Sequence, residues 1–443
     1  MERRTFLRNA SALAASLALS ACGGSGGGGE SGTTSVTPPI TPTPGPTPPP
    51  TPPVVAKAKV IVVGGGMAGA TVAKYLRLWG NSIDVTLIEK SQAYTSNIMS
   101  SLVLTGQRSI SSLEYSYNTL RSNYGINFVQ DEVVAIDPVT TEVTLASGTR
   151  LKADRIVLAP GIDFDAVPGL TDSNVMPHAW KAGPQTTLLA QQLAAMPAGG
   201  TMVLTIPPAP YRCPPGPYER ACLVADWLRL NKPGSKLLVL DGNPQIIVER
   251  DNFELAFTQL HAGVIEYHPG VSINSVDQAS KTLNTSGGAV RADVINLIPR
   301  QKAPLLVSQA GLVNDGSGRF ASVNLLDYSS TAAPTVHVIG DSSATTQPKA
   351  GHIANQEAKI CADAIIRSLG GLALDPAPIT TSACFSTITM SQASWLHAMY
   401  EYNASSKTMQ LIPASFAASS GWSSDDFEDM NTWFGSLMAD TFA

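Results

Sequence analysis

Short apolar runs that lead into a glycine recur along the chain. KVIVV comes directly before Gly64, RIVLAP before Gly161 and VHVI before Gly340. Compact, β-branched runs of this length are typical of buried parallel strands, and a helical pattern follows the first of them over residues 70–78. Strands that alternate with helices in this way predict an α/β fold.

The first of these runs continues into the pattern of a dinucleotide-binding turn. GGGMAG follows the predicted strand, and a helix and a second strand, VTLIE, come after it. Gly64 is expected to make the tight turn, Gly66 to let backbone N–H groups approach a pyrophosphate, and Gly69 to let helix and strand pack closely. The helix N-terminus would stabilise phosphate charge, and Glu89 would accept hydrogen bonds from ribose hydroxyls.

Two later segments favour FAD over NAD as the bound dinucleotide. RIVLAPG resembles the strand that returns to the nucleotide domain in flavoproteins with two dinucleotide folds, and VHVIGD resembles their late strand, which places Asp341 near the FAD ribityl chain or pyrophosphate. A helix predicted over residues 348–359 would point its N-terminus at the flavin ring and stabilise negative charge there. The expected cofactor-binding residues are Gly64, Gly66, Met67, Ala68, Gly69, Glu89, Lys90, Gly161, Gly340, Asp341 and Gly351.

Residues 1–22 are interpreted as an export signal that lies outside the fold. Arg3 and Arg4 precede a Phe-Leu pair and an apolar stretch, an order that resembles a twin-arginine signal. The tetrapeptide LSAC resembles a bacterial lipobox, so Cys22 is expected to carry a lipid anchor that tethers the protein to a membrane.

Residues 23–56 are expected to form a linker. A Gly/Ser run comes first, and ten prolines then lie between Pro38 and Pro53. A polyproline-like spacer of this kind rises about 3.1 Å per residue, so it would hold a domain roughly 50 Å from a membrane. No later apolar run reaches the ~20 residues that span a bilayer, so no transmembrane helix is expected in the mature chain. The prediction is an exported, lipid-anchored enzyme that works outside the cytoplasm.

Composition narrows the function further. The net charge is −5 and the sequence has no basic stripe, so nucleic acid is not an expected partner. Five cysteines in 443 residues are too few for a disulfide scaffold. The six histidines show no metal-ligand spacing and no CxxCH motif is present, so no metal site is expected and any haem must belong to a partner.

Several segments together resemble the flavoprotein subunit of flavocytochrome c sulfide dehydrogenase. They are the glycine loop with VTLIE, PHAWKAGPQT, YRCPPGPYERA, ADVINLIP, VIGD, PKAGHIANQ and the chain end WFGSLMADTFA. The resemblance implies an α/β, glutathione-reductase-like fold with two Rossmann-type three-layer domains and a C-terminal α+β domain. It also implies FAD-dependent oxidation of sulfide or a related reduced sulfur compound, with electrons passing to a c-type cytochrome.

The resemblance also sets the expected domain boundaries. The FAD-binding domain is expected over residues 57–165 and 291–368, and a second dinucleotide-like domain over 166–290. Residues 369–443 would form the C-terminal domain. The apolar run 202–206 leads into Pro-Pro-Ala-Pro, which lacks the backbone N–H donors of an anion-binding loop, so NAD(P)H is not expected in the second domain.

The sequence departs from the family at two positions. The family commonly attaches its flavin through a cysteine in a Tyr-Thr-Cys stretch, whereas this chain has Ser96 there, so the FAD is expected to be non-covalent. The family also uses a redox cysteine pair beside the flavin. Cys213 matches its first member, and the second is expected just after Gly-Asp, where this chain has Ser343. Cys213 would then act alone or pair with Cys222, Cys361 or Cys384.

Three side chains are expected to act in catalysis: Cys213, His352 and Lys349. Arg212, Arg220 and a helix N-terminus near Tyr218 would lower the pKa of the Cys213 thiol. Lys349 would neutralise the reduced flavin ring, and His352 would transfer protons. Lys181 and His178 are weaker candidates, since a surface or core role explains them equally well.

Three functions remain open on the sequence. The first is an FAD-dependent sulfide dehydrogenase that passes electrons to a separate cytochrome c. The second is a diverged flavin dehydrogenase that acts on another small extracytoplasmic substrate. The third is a non-catalytic subunit that carries a flavin for electron relay, with RCPPGPYER retained as a structural turn.

Overall fold

A five-stranded parallel sheet forms the first half of the fold in the computed structural model, which describes residues 58–80 and 82–443. Its central strand pairs in parallel register with a strand on each side, Val60 lying opposite both Val85 and Arg155. The strand order across the sheet is Val336–Val338, Arg155–Leu158, Ala58–Val63, Ile83–Glu89 and Asn127–Gln130. The predicted export signal, the lipid site at Cys22 and the linker up to residue 56 lie outside the described residues.

Helices and a small second sheet cover the two faces of this parallel sheet. The helices of the described chain are α1 (Met67–Trp79), α2 (Ser101–Leu104), α3 (Asn118–Tyr124), α4 (Pro184–Ala195), α5 (Gly216–Asn231), α6 (Arg250–Leu255), α7 (Leu305–Gln309), α8 (Gly351–Leu369) and α9 (Ser424–Phe442). Val60 and Val62 share a buried core with α1 and α8. Ile61 and Val63 face the other way, towards the antiparallel strands Val133–Asp137, Glu142–Leu145 and Arg150–Lys152. Strand alternation therefore builds a three-layer domain.

The same architecture is repeated in the middle of the chain. Four parallel strands stand in the order Ile265–Pro269, Lys236–Asp241, Thr201–Ile206 and Val294–Asn296. Helices α4 and α5 share one core with this sheet. The antiparallel strands Ile273–Asp277, Thr282–Thr285 and Gly288–Arg291 share the other. The strand Val294–Asn296 belongs to this second sheet, although the expected boundary at residue 290 assigned it to the FAD domain, because it pairs with Thr201–Ile206.

The C-terminal part is an antiparallel sheet followed by a long helix. Its strands are Ile379–Thr387, Ala393–Asn403, Thr408–Leu411 and Ala417–Ala418. Helix α9 returns to α1, where the Lys74 Nζ atom donates hydrogen bonds to the carbonyl oxygens of Asp440 (2.8 Å) and Ala443 (2.6 Å). Short strand pairs complete the structure: Ala93–Thr95 with Glu114–Ser116, Asp163–Phe164 with Gln301–Lys302, and Ala321–Ser322 with Ser343–Ala344.

The predicted fold class is confirmed: two Rossmann-type three-layer units are followed by an α+β segment. Over residues 58–80 and 82–443, no helix combines the length and the apolar character that crossing a bilayer requires.

Candidate active site and cofactor cavity

A single cavity of 560 Å³ extends from the glycine loop of the first sheet to the first turn of α5 and the C-terminal sheet. Most of the residues that were expected to bind cofactor or act in catalysis line it. They are Gly64, Gly66, Met67, Ala68, Glu89, Lys90, Gly161, Cys213, Gly340, Asp341, Gly351 and His352. Gly69 and Lys349 are not part of its wall.

The glycine loop has the geometry of a phosphate-binding turn. Gly64 adopts a φ of +97°, and its N–H donates to the Ile88 carbonyl oxygen at 2.9 Å. A Cβ atom placed on Gly69 would lie 1.8 Å from the Gly64 carbonyl oxygen, so Gly69 allows the helix to approach the strand. Around Gly66 a Cβ would meet nothing closer than 3.7 Å, which leaves room for a ligand at the start of α1.

Glu89 fixes the far side of this loop. Its Oε2 atom accepts a hydrogen bond from the Gly65 N–H at 2.8 Å, and its Oε1 atom accepts one from the Ser91 N–H at 3.0 Å. Each carboxylate oxygen keeps a further lone pair for a ribose hydroxyl. Open glycines, a helix N-terminus and an anchored acid on one cavity wall fit the adenosine and pyrophosphate of a dinucleotide such as FAD.

Asp341 lines the cavity, and Lys349 contacts the turn that contains Asp341 from outside the cavity wall. The Asp341 carboxylate is 3.8 Å from the Arg212 guanidinium. The Lys349 Nζ atom donates to the carbonyl oxygens of Asp341 (3.0 Å) and Ser343 (2.7 Å) and lies 3.8 Å from the Phe320 ring centre. Burial lowers the pKa of this amine. Lys349 therefore stabilises the turn after Gly340, and the structure does not place it against a flavin ring as was expected.

Cys213 is held in an uncommon backbone conformation on the cavity wall. Its φ is +58°, a value that residues other than glycine rarely adopt, and its N–H donates to the Lys349 carbonyl oxygen at 2.6 Å. The Sγ atom rests on the first turn of α5, where a Cβ on Gly216 would approach it to 2.9 Å. Cys213 therefore depends on glycine at position 216.

Burial and the neighbouring Cys384 raise the pKa of the Cys213 thiol well above its ordinary value. Arg212 acts in the opposite direction, but its effect is smaller. The expectation that the surrounding arginines and the helix N-terminus lower this pKa is therefore wrong, because desolvation outweighs them.

The cysteine that shares the cavity with Cys213 is Cys384, and Ser343 lies outside the cavity wall. Ser343 is buried outside the cavity wall, where its hydroxyl donates to the Gly340 carbonyl oxygen at 2.8 Å. Cys384, on the strand Ile379–Thr387, lines the cavity together with Cys213, and both are free thiols. Cys222 and Cys361 are fully buried in the cores around α5 and α8. Of the three alternatives left open by the sequence, only Cys384 shares the cavity with Cys213.

Glu219 is a wall residue that the sequence reasoning missed. It lies in the first turn of α5, and its Oε1 atom accepts a hydrogen bond from the Thr387 hydroxyl at 3.0 Å. Burial raises its pKa to about 7. A carboxyl group that changes protonation near neutral pH beside two thiols is suited to proton transfer. The sequence contains this acid in the PYER segment, but no local sequence pattern indicates that its side chain lines the cavity.

The other sequence candidates have structural partners. The His352 Nδ1 atom accepts the Ala383 N–H at 3.1 Å, and burial lowers the pKa of this imidazole to about 4. His178 is similar, since its Nδ1 atom accepts the Trp180 N–H at 2.9 Å and burial lowers its pKa to about 4. Lys181 lines the cavity and lies 3.4 Å from Asp163. Both imidazoles are neutral at pH 7, which suits a polar contact better than proton donation.

Ser96 occupies the position where a covalent flavin attachment was considered. Its side chain is fully buried, and its hydroxyl donates to the Ile98 carbonyl oxygen at 3.1 Å. It is not part of the cavity wall.

At the carboxyl edge of the second sheet, Asp241 corresponds in position to Glu89 of the first. It is fully buried, and its Oδ2 atom accepts hydrogen bonds from the hydroxyls of Tyr218 (2.7 Å) and Tyr267 (2.8 Å). Its Oδ1 atom accepts the backbone and side-chain N–H groups of Asn243, both at 2.8 Å. Four protein donors thus occupy the acid that would otherwise hold a ribose.

Two Rossmann-type sheets, with one cavity that contains both a dinucleotide-binding glycine loop and two thiols, are the features of an FAD-dependent oxidoreductase. Residues 58–187 match the family model of pyridine nucleotide-disulphide oxidoreductases. Residues 186–299 match that of the central part of the sulfide dehydrogenase [flavocytochrome c] flavoprotein chain. The chain belongs to the family of this flavoprotein chain, and it is related to sulfide:quinone oxidoreductases.

Individual relatives agree with this assignment. The chain is 56% identical over 36 residues to the sulfide dehydrogenase [flavocytochrome c] flavoprotein chain of Chlorobaculum thiosulfatiphilum, a match that covers 8% of this chain and 75% of that sequence. It is 22% identical over 350 residues to the mitochondrial sulfide:quinone oxidoreductase of Dictyostelium discoideum, covering 73% of this chain and 75% of the relative.

Among solved structures, the sulfide:quinone oxidoreductase of Aquifex aeolicus superposes with a TM-score of 0.72 at 17% identity, covering 86% of this chain and 91% of that one. At this identity the likeness shows the fold alone. Other curated relatives match over a shorter stretch, and the chain spans about a quarter (27%) of the length of two of them.

Proposed function

We propose that this protein oxidises sulfide or a related reduced sulfur compound at Cys213 and Cys384 and passes the electrons to a c-type cytochrome. The observation that carries the proposal is the placement of two thiols on one wall of a cavity that also holds a dinucleotide-binding loop. Two cysteines that can form a disulfide can accept two electrons from a sulfur nucleophile, because the nucleophile reduces the disulfide when it attacks.

The oxidised protein would hold Cys213 and Cys384 as a disulfide. Hydrosulfide attacks one sulfur, so that the S–S bond breaks, the other cysteine leaves as a thiolate and the attacked cysteine becomes a persulfide. A second hydrosulfide removes the outer sulfur as hydrodisulfide and leaves a thiol. Two hydrosulfides and a disulfide thus give one hydrodisulfide, one thiol and one thiolate. Bound FAD would supply the two-electron acceptor that restores the disulfide.

Glu219 would manage the protons of this cycle. With a pKa of about 7, it would accept a proton from the departing hydrodisulfide and give that proton to the cysteine that is released as a thiol. Thr387 orients the carboxyl group through its 3.0 Å hydrogen bond. His352 would contribute a neutral polar contact on the wall, since a pKa of about 4 does not suit a proton carrier at neutral pH.

FAD is proposed to bind non-covalently, along the wall from Gly66 and Glu89 to Asp341. Ser96 has no thiol for a flavin linkage, and its buried hydroxyl already donates to a backbone carbonyl. Nicotinamide dinucleotides are proposed not to act as partners, because Asp241 is fully engaged by protein donors and the loop after Ile206 begins with prolines.

The location proposed for the protein is extracytoplasmic. Export by the twin-arginine route would deliver the folded, FAD-loaded chain, and the lipid at Cys22 with the proline-rich linker would tether it to a membrane. A tethered domain with a reach of roughly 50 Å meets a soluble c-type cytochrome without needing a transmembrane helix of its own.

Anaerobic titration of the FAD-loaded protein with sulfide tests the proposal. Sulfide should remove the oxidised flavin absorbance and then reduce added cytochrome c. Cys213→Ser and Cys384→Ser should each lower the rate of flavin reduction at least a hundredfold, while the buried Cys361→Ala control retains it. A flavin that sulfide leaves oxidised would overturn the proposal and favour a dehydrogenase for another substrate. Reduction that persists in both serine variants would exclude the thiol route.

A pH profile tests the role of Glu219. In the wild type, the rate of flavin reduction at saturating sulfide, which reports ionisations of the enzyme–substrate complex and not of free hydrogen sulfide, should show an apparent ionisation near pH 7, and Glu219→Gln should remove that inflection and lower the plateau rate about 10²–10⁴-fold. Glu254→Gln, an exposed acid on α6, should leave the profile unchanged. An inflection that persists in Glu219→Gln would assign the ionisation to another group.

A further inference from the structure

Glu249 is not part of the cavity wall, but it is a charged neighbour of Cys384, and the proposed sulfide chemistry does not use it. Its carboxylate bridges two strands of the C-terminal sheet. The Ser386 hydroxyl donates to Oε1 at 2.8 Å, and the Ser394 hydroxyl donates to Oε2 at 2.6 Å. Ser386 and Ser394 are direct cross-strand partners, so one carboxylate spans one rung of the hairpin.

These two serine hydrogen bonds, called the serine clamp below, hold the Glu249 carboxylate close to the Cys384 thiol. Ser386 follows Cys384 by two positions on the same strand, and side chains two apart point to the same face about 7 Å from one another. The carboxylate that the two serines hold therefore lies on the Cys384 side of the hairpin. The distance is short enough, in a buried setting, for the two charges to interact.

The backbone of Glu249 has an uncommon conformation that its surroundings must hold in place. Its φ and ψ are 47° and 39°, the left-handed region that residues other than glycine or asparagine rarely adopt. Such a conformation persists only where surrounding contacts hold it, and such positions cluster at functional sites. The two serine hydrogen bonds are the contacts that hold the side chain here.

We propose that Glu249 is a positioning residue for the thiol pair: clamped by Ser386 and Ser394, its carboxylate disfavours negative charge on Cys384. The inference rests on the proposed function, because it assigns different tasks to the two sulfurs. Hydrosulfide would attack Cys384, which becomes the persulfide, and the electron pair of the broken S–S bond would leave on Cys213, where Arg212 is nearby.

The pKa directions agree with a carboxylate placed beside Cys384, although burial raises the pKa of both thiols. Burial raises the pKa of Cys384 to about 12, and Glu249 is the charged residue that adds most to the increase. For Cys213 the charges named are Cys384, Glu219 and Arg212, and Glu249 is not among them. The ionisable groups that face Cys384 from the packed elements are Glu249, Glu219 on α5, Cys213, Tyr400 on the neighbouring strand and His352 on α8.

Thiol alkylation by iodoacetamide, followed at each cysteine by peptide mass spectrometry, tests the proposal on the full-length, FAD-loaded and fully reduced protein. Glu249→Gln should raise the alkylation rate of Cys384 about tenfold at pH 8, the effect of a thiol pKa lowered by one unit. The rate of Cys213 should change by less than about twofold. Glu254→Gln removes an exposed acid from the helix that follows Glu249, so it should leave both rates unchanged.

Two further variants keep the test decisive. Glu249→Asp retains the charge but is too short to reach both serines, so it should raise the Cys384 rate less than Glu249→Gln does. Ser394→Ala should do the same. An unchanged Cys384 rate in Glu249→Gln, or equal acceleration of both cysteines, would overturn the proposal. Alkylation needs no sulfide turnover, so a protein that fails to oxidise sulfide would refute the proposed function and still report on Glu249.

Discussion

Phe442, at the end of α9, packs into the aromatic cluster that backs the FAD cavity. Its side chain is 4% exposed, and its ring lies 5.2 Å from Tyr94 and 5.5 Å from Tyr115, nearly parallel to both. Tyr94 in turn lines the cavity, and Tyr117, whose hydroxyl donates to the Gly65 carbonyl oxygen at 3.0 Å, completes the cluster. The C-terminal helix is therefore coupled to the glycine loop through three tyrosines.

Phe442→Ala should lower the free energy of unfolding by about 3–5 kcal/mol, the usual cost of removing a buried phenylalanine ring together with its cavity. With a urea m-value of about 3 kcal/mol/M, the unfolding midpoint should fall by roughly 1–1.7 M. The loss should be accompanied by weaker FAD retention on gel filtration, because Tyr94 and Tyr117 lose the ring that holds them.

The matched control is Phe416→Ala, since Phe416 is 56% exposed and its removal should change stability by less than about 0.5 kcal/mol. A Phe442→Ala protein whose midpoint moves no further than that of Phe416→Ala would refute the view that α9 supports the cavity. If the Phe442→Ala protein loses stability but binds FAD as tightly as the wild type, only the coupling through the tyrosines is refuted, and the stabilising role of α9 stands.

Three further outcomes are expected. Gly69→Ala should abolish FAD retention, because its Cβ would lie 1.8 Å from the Gly64 carbonyl oxygen. The control Gly148→Ala, where a Cβ has no neighbour within 4 Å, should retain FAD. Equal FAD retention by the two variants would contradict the role of Gly69 in the close approach of helix and strand. Burial lowers the pKa of His352 to about 4, so the stability that its neutral form provides should be complete above pH 6.5 and lost as the pH falls towards 4. His352→Phe should therefore reduce the change in melting temperature between pH 6.5 and pH 4. Acid precipitation should release FAD into the supernatant; flavin that stays with the pellet would show a covalent bond.

The elements of the first sheet could be predicted because their signals are local. A β-branched strand, a glycine turn, a helix and an acid follow one another within a short stretch, and the structure has them as Ala58–Val63, α1 and Ile83–Glu89. Helix starts were less certain. α1 begins at Met67 and α5 at Gly216, both earlier than the apolar pattern indicated, because glycine and proline are tolerated in a first turn.

The partner of Cys213 could not be predicted in the same way. Cys384 lies far along the chain, on an antiparallel strand whose position depends on how the whole C-terminal segment packs against α5 and α8. The position of the family's second cysteine could be found because it follows a recognisable Gly-Asp pair, but this chain has Ser343 there and no thiol. Lys349 shows the same limit: its sequence context indicates a cation near the cavity, but only the fold shows that two backbone carbonyls occupy its amine.

The second Rossmann-type unit explains how a dinucleotide fold can position thiol chemistry. Tyr218, whose hydroxyl binds the buried Asp241, precedes Glu219 in the first turn of α5, and Cys213 lies just before that helix. The hydrogen bonds that occupy Asp241 therefore also fix the orientation of the helix that carries the proposed proton carrier. The same contacts that occupy the Asp241 carboxylate thus hold the start of α5, with Glu219 and the preceding Cys213, against the cavity of the first unit.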